Sequence, residues 1–108
     1  MSRVIACLPL DECAEGTAFL SKRFEKAKLM MNHSRFDDTV PETRSQILLY
    51  VEEDFSKNDN IFRLLACRGF NYLFFSKSAN PNWQKTLASG RLEQETDRFI
   101  LWFQPPKE

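Results

Sequence analysis

The chain has 108 residues, 43% of them hydrophobic and 28% charged, which is ordinary usage for one globular domain and excludes both disorder and a two-domain layout. Fifteen basic residues balance fifteen acidic ones, so no long-range positive field draws in nucleic acid, and the missing net charge mildly favours self-association. Three scattered cysteines (Cys7, Cys13, Cys67), no secretory apolar run and no stretch near 18 apolar residues lead us to expect a cytoplasmic protein with free thiols and no membrane span.

Residues 4–10 (VIACLPL) form a short apolar run that reads as a buried strand, which Pro9 should end or place at a sheet edge. Asp11 offers an N-cap, with Glu12 and Glu15 in the first turn of a helix. Apolar positions Cys13, Thr17, Leu20, Phe24, Ala27 and Met31 alternate spacings of four and three, which predicts one helix reaching Met31. Phe19, Leu29 and Met30 lie off that stripe and widen its apolar sector.

Residues 32–41 are a polar connector holding His33, the sole histidine. Pro41 suits the first turn of a second helix over 42–56, with Ile47, Leu48, Val51 and Phe55 as its apolar face. Asn58-Asp59-Asn60 is a break, and a short helix over 61–67 is expected to stop at Gly69 in a left-handed conformation.

From Phe70 the pattern changes. Residues 70–75 (FNYLFF) are aromatic and lack helical periodicity, so they predict a strand. Residues 78–82 are a turn. Over 83–95 two readings compete: hairpin-like strands turning at Ser89-Gly90, which we prefer, or a helix begun by Pro81 and interrupted by Gly90. Residues 98–104 predict a last strand with Phe99, Leu101 and Phe103 on one face and Ile100 and Trp102 on the other. Both of its faces being apolar raises the question of what covers the second, and a partner subunit is one answer. The outline is an α+β domain. Two or three helices in the N-terminal two thirds pack on one side of a small antiparallel or mixed sheet of three to five strands, and residues 105–108 form a short tail.

Chemistry finds little purchase. Neither GxGxxG nor GxxxxGK[ST] occurs, and the cysteines and His33 have no zinc-ligand spacing, so no cofactor and no metal are expected. His33 beside Asp37 and Asp38 is a formal general-base candidate, but no neighbouring signature makes it catalytic. Lys22, Arg23, Lys26 and Lys28 interleave with Phe24 as a basic stripe, a lesser nucleic-acid reading diluted by Glu25.

What stands out is aromatic content: ten Phe, two Trp and two Tyr. Such rings fill a core or populate an interface, where Trp, Tyr, Phe and Met are favoured. The expectation is a small regulator of inhibitor, antiactivator or adaptor type that binds another protein stoichiometrically and forms a homodimer. Its contact residues would be Phe19, Leu29, Met30, Tyr72, Trp83 and Trp102. A small-ligand domain or an enzyme with an unrecognised site is the alternative.

Overall fold

The computed structural model describes residues 2–25, 27–31, 46–51, 54–57, 61–63, 65, 69–87 and 89–105. They form an α+β arrangement around one mixed sheet: β1 (Arg3–Leu8), α1 (Cys13–Arg23), β2 (Lys28–Met31), β3 (Gln46–Val51), β4 (Tyr72–Ser76), α2 (Trp83–Thr86), β5 (Arg91–Glu95) and β6 (Phe99–Phe103). The strand order is β2-β3-β1-β4-β6-β5. The first four run parallel, and β6 and β5 add an antiparallel ribbon to β4.

β1 is the centre of this sheet, pairing Val4–Leu8 with Ile47–Val51 on one side and Val4–Cys7 with Tyr72–Phe75 on the other. All of Val4–Leu8 are fully buried, as a strand covered on both faces requires. The chain leaves β1 by way of α1 and reaches β2, beyond β3. It leaves β3 in the opposite direction and reaches β4, beyond β1. Two connections of one hand that travel in opposite directions must cross opposite faces, and they do. Leu20 of α1 and Phe24 just after it join Val4, Ala6, Leu8 and Phe74 on one face, while Phe55, Ile61 and Leu65 join Ile5, Cys7, Leu73 and Phe75 on the other.

Several expectations are corrected here. The first helix ends at Arg23: Phe24 leaves helical geometry (φ −121°, ψ 69°) to lay its ring edge-on against Tyr72, at 5.2 Å between centroids. Leu29 and Met30 are therefore on strand β2. Residues 46–51 of the expected second helix are strand β3, with Gln46–Tyr50 buried. Asp11 lies inside a 3-10 turn (Leu10–Glu12), and Glu12 occupies the N-cap position of α1 without a side-chain cap bond. Residues 83–95 divide into helix α2 and strand β5, so the hairpin is β5–β6. Two of these changes convert helix into strand, which gives the sheet six strands among the described residues. Helical segments also lie on both faces: Phe55, Ile61 and Leu65, with Leu87 just after α2, cover the second face of β6 with the chain's own side chains. Gly69 has the expected left-handed φ of 72°.

Candidate functional site

The six contact residues do not share one surface. Phe19 stacks on Phe74 at 5.3 Å with planes 13° apart, beneath α1. Tyr72, on the same face, meets Phe24 and Phe103 edge-on, each at 5.2 Å. Leu29 stands on the outer strand β2 and is 45% exposed. Met30, its neighbour on β2, is in register with Leu48 of β3, and its side chain lies outside the described residues.

Trp83 and Trp102 are brought together. Pro81-Asn82 leads into α2, whose first residue is Trp83, and β6 carries Trp102 across the sheet in register with Leu73 and Leu92. The two indoles meet edge to face, 5.8 Å apart and 67° between planes, and Trp83 reaches Phe75 at 5.9 Å. Register places Leu92 of β5 on the same sheet face as Trp102, and Leu92 is 44% exposed. Both indoles are half-buried. Leu92 was missed in the sequence because Arg91, Glu93 and Glu95 surround it. The alternation in RLEQE was the available signal.

The polar needs of this patch are met from within. The Trp102 indole N–H donates to the Ser89 carbonyl at 3.1 Å, and Gln104 Nε2 donates to Ser89 Oγ at 2.8 Å. Gly90 makes the turn possible at φ 105°, where a Cβ would run into the Phe103 carbonyl and crowd Trp102 Nε1. What faces outward is therefore apolar surface on a fixed frame.

Beside Trp83 lies a cavity of about 120 Å³ lined by Asp54, Phe55, Ser56, Asn80, Pro81, Asn82 and Thr86. Much of its polar lining serves the fold. Asn80 Oδ1 accepts the Phe55 N–H at 2.9 Å, Asn80 Nδ2 donates to the Ser76 carbonyl at 2.9 Å, and Asp54 Oδ1 accepts both N–H and O–H of Ser56.

The carboxyl ends of β1 and β3, from which connections leave in opposite directions, are where open parallel sheets hold ligands. Here they carry exposed Leu10 (79%) and Val51 (38%) together with the acidic turn Asp11-Glu12. Cys13, the nearest nucleophile, donates its thiol hydrogen to the Pro9 carbonyl at 3.3 Å. Burial pushes that thiol's pKa up and the Asp11 carboxylate pushes the same way, so the unreactive protonated form is favoured. Cys7 is buried. Among the described residues no three of His, Cys, Asp and Glu converge on a metal-sized site, and no helix is long and apolar enough to cross a membrane.

Lys22 and Arg23 of the basic stripe are exposed, and Arg23 lies 3.6 Å from Glu93, which also meets Arg91 at 3.3 Å. Lys26, His33 and Cys67 fall outside the described residues. Of the fourteen aromatic side chains, seven are buried, six are half-buried, and Phe36 lies outside the described residues. The rings thus serve the two core layers first, and the Trp pair is where they come nearest to a usable surface. Compared with known proteins, the chain matches no family model, no curated protein and no solved structure.

Proposed function

We propose that this chain is a small cytoplasmic regulator of inhibitor, antiactivator or adaptor type that works by stoichiometric binding to another protein, without catalysis, as a homodimer. The observation that carries the reading is the Trp83–Trp102–Leu92 patch. Two half-buried indoles pack edge to face, an exposed leucine shares the sheet face of Trp102, and the adjoining Ser89-Gly90 turn is held to Trp102 and Gln104 by hydrogen bonds. Interface energy concentrates in such rigid aromatic anchors, because they bury large area and lose little side-chain entropy on binding. The surface surrounding it is of mixed charge, so contact there is made by shape and apolar burial rather than by a charged field.

The test is capture by the immobilised chain followed by titration of the captured protein. Retention at one-to-one stoichiometry, reduced at least tenfold by Trp83→Ala and by Leu92→Glu but not by Leu10→Glu, supports the reading. The tenfold threshold corresponds to about 1.4 kcal/mol, which one interface anchor commonly exceeds. Retention that ignores both Trp83→Ala and Leu92→Glu overturns it.

A further inference from the structure

The cavity beside Trp83 is walled by the two segments that follow the carboxyl ends of β3 and β4. That end of an open parallel sheet is where ligands are held. Asn80, 4% exposed, locks the two walls together. Its Oδ1 accepts the Phe55 N–H of one segment, and its backbone carbonyl accepts the Trp83 N–H of the other at 3.2 Å. The recess is therefore part of the frame, and its volume of about 120 Å³ is that of roughly four waters at about 30 Å³ each.

The hydrogen-bond chemistry of the lining is lopsided. Several of its donors are spent inside the fold. The Ser56 N–H and O–H both go to Asp54 Oδ1, the Asn80 side-chain N–H goes to the Ser76 carbonyl, and the Thr86 N–H and O–H go to the Asn82 carbonyl. Donors engaged in this way do not serve an anion. Negative charge and acceptor capacity come from Asp54, whose carboxylate has room for about four hydrogen bonds and is oriented by the two from Ser56. Trp83 and Phe55 supply the aromatic part of the lining. A carboxylate and an indole on one small recess are complementary to a cation carried on a short hydrocarbon. Asp54 Oδ1 already accepts two hydrogen bonds, which suits the point charge of an ammonium better than the two-oxygen fork of a guanidinium.

We infer that this cavity binds a primary ammonium group on a short aliphatic chain, with the ammonium against Asp54 and the chain against Trp83. A chain of about four carbons with its nitrogen takes up roughly the volume present. A free alkylamine and the lysine side chain of another protein offer the same chemistry. The site shares Trp83 with the patch of the preceding section but does not rest on that reading.

Titration of the whole chain with n-butylammonium chloride at constant ionic strength tests the inference, followed by tryptophan emission and by backbone amide NMR shifts. The neutral n-butanol and the anion butyrate serve as comparisons of similar size. The expected result is a saturable response to n-butylammonium with shifts centred on residues 54–56 and 80–86. Affinity falls at least about tenfold for n-butanol, for butyrate and in Asp54→Asn, and it is unchanged in Asp11→Asn, which removes the same charge from the turn before α1. Circular dichroism verifies that both variants are folded, and the three wild-type titrations need no variant. Nα-acetyl-lysine methylamide separates the two sources: binding as tight as that of n-butylammonium supports a protein side chain, and binding by n-butylammonium alone supports a free alkylamine. An absent or unsaturable response to n-butylammonium overturns the inference, as does equal affinity for n-butanol, equal affinity in Asp54→Asn, or shifts centred elsewhere. Failure of protein capture leaves these outcomes untouched, so the two readings fall separately.

Discussion

The ring of Phe19 lies flat on the ring of Phe74, 5.3 Å between centroids, and this stack joins α1 to the strand beside β1. Phe74 in turn touches Phe99 of β6 at 5.0 Å, so one column of rings ties helix, parallel core and antiparallel ribbon together. Phe19→Ala is expected to destabilise the fold by about 2–4 kcal/mol, toward the low side of phenylalanine deletions because the ring is half-buried. Urea unfolding checks it: the midpoint falls while the slope is unchanged.

Gly90→Ala is expected to cost about 2 kcal/mol or more. A side chain there is strained at φ 105°, and its Cβ would collide with the Phe103 carbonyl. The same collision disturbs Trp102, so tryptophan fluorescence shifts toward that of solvated indole before global unfolding. A variant with wild-type emission and midpoint would contradict this account of the turn.

Asn80 is 4% exposed and bonds both ways, to the Phe55 N–H and the Ser76 carbonyl. Removing it as Asn80→Ala leaves two backbone groups without those partners, at a cost of about 2–3 kcal/mol. Asn80→Asp is a sharper probe. Only the protonated acid can donate to the Ser76 carbonyl, so burial raises the folded-state pKa of the new carboxyl. Its stability relative to wild type is greatest below the unfolded carboxyl value of about 3.9 and declines as pH rises through the raised folded value. Denaturation of both proteins at pH 3 and pH 7 measures the difference.

Cys13 predicts behaviour on the alkaline side. Its folded thiol pKa is raised by burial and then by Asp11, so the protonated thiol is bound more tightly in the folded state. That contribution is complete below the unfolded thiol value of about 8.5 and is lost as pH rises through the folded one. Wild type should lose stability between pH 8 and 10 more steeply than Cys13→Ser. Alkylation of Cys13 at pH 8 should also lag that of a small free thiol.

Strands β1, β4 and β6 were legible because each combines apolar density with a hard stop: Pro9, the turn at residues 78–82, and Pro105-Pro106. β3 was not. A parallel strand buried on both faces shows no alternation, and Ile47, Leu48 and Val51 fit a helical face equally well. The first helix overran for a similar reason. Phe24, Ala27 and Met31 continue the helical spacing, yet Phe24 ends the helix by packing on Tyr72, a residue 48 positions on that no local pattern reveals. At the candidate site, Trp83 and Trp102 were legible as residues but not as neighbours, because register across β4, β6 and β5 decides their meeting.

The placement of β1 has a consequence for how the chain is made. β1, in the middle of the sheet, leaves the ribosome before either strand that flanks it, and the earlier of the two, β3, follows only after residues 46–51 have emerged. β2 is synthesised sooner but docks on β3, so it cannot shelter β1 in the meantime. Five consecutive residues destined for complete burial, Val4–Leu8, therefore lack both strand partners until residues 46–51 arrive. Assembly depends on contacts far apart in sequence, and this makes folding slow and late. The nascent chain is most prone to aggregation in the interval between the emergence of β1 and that of β3.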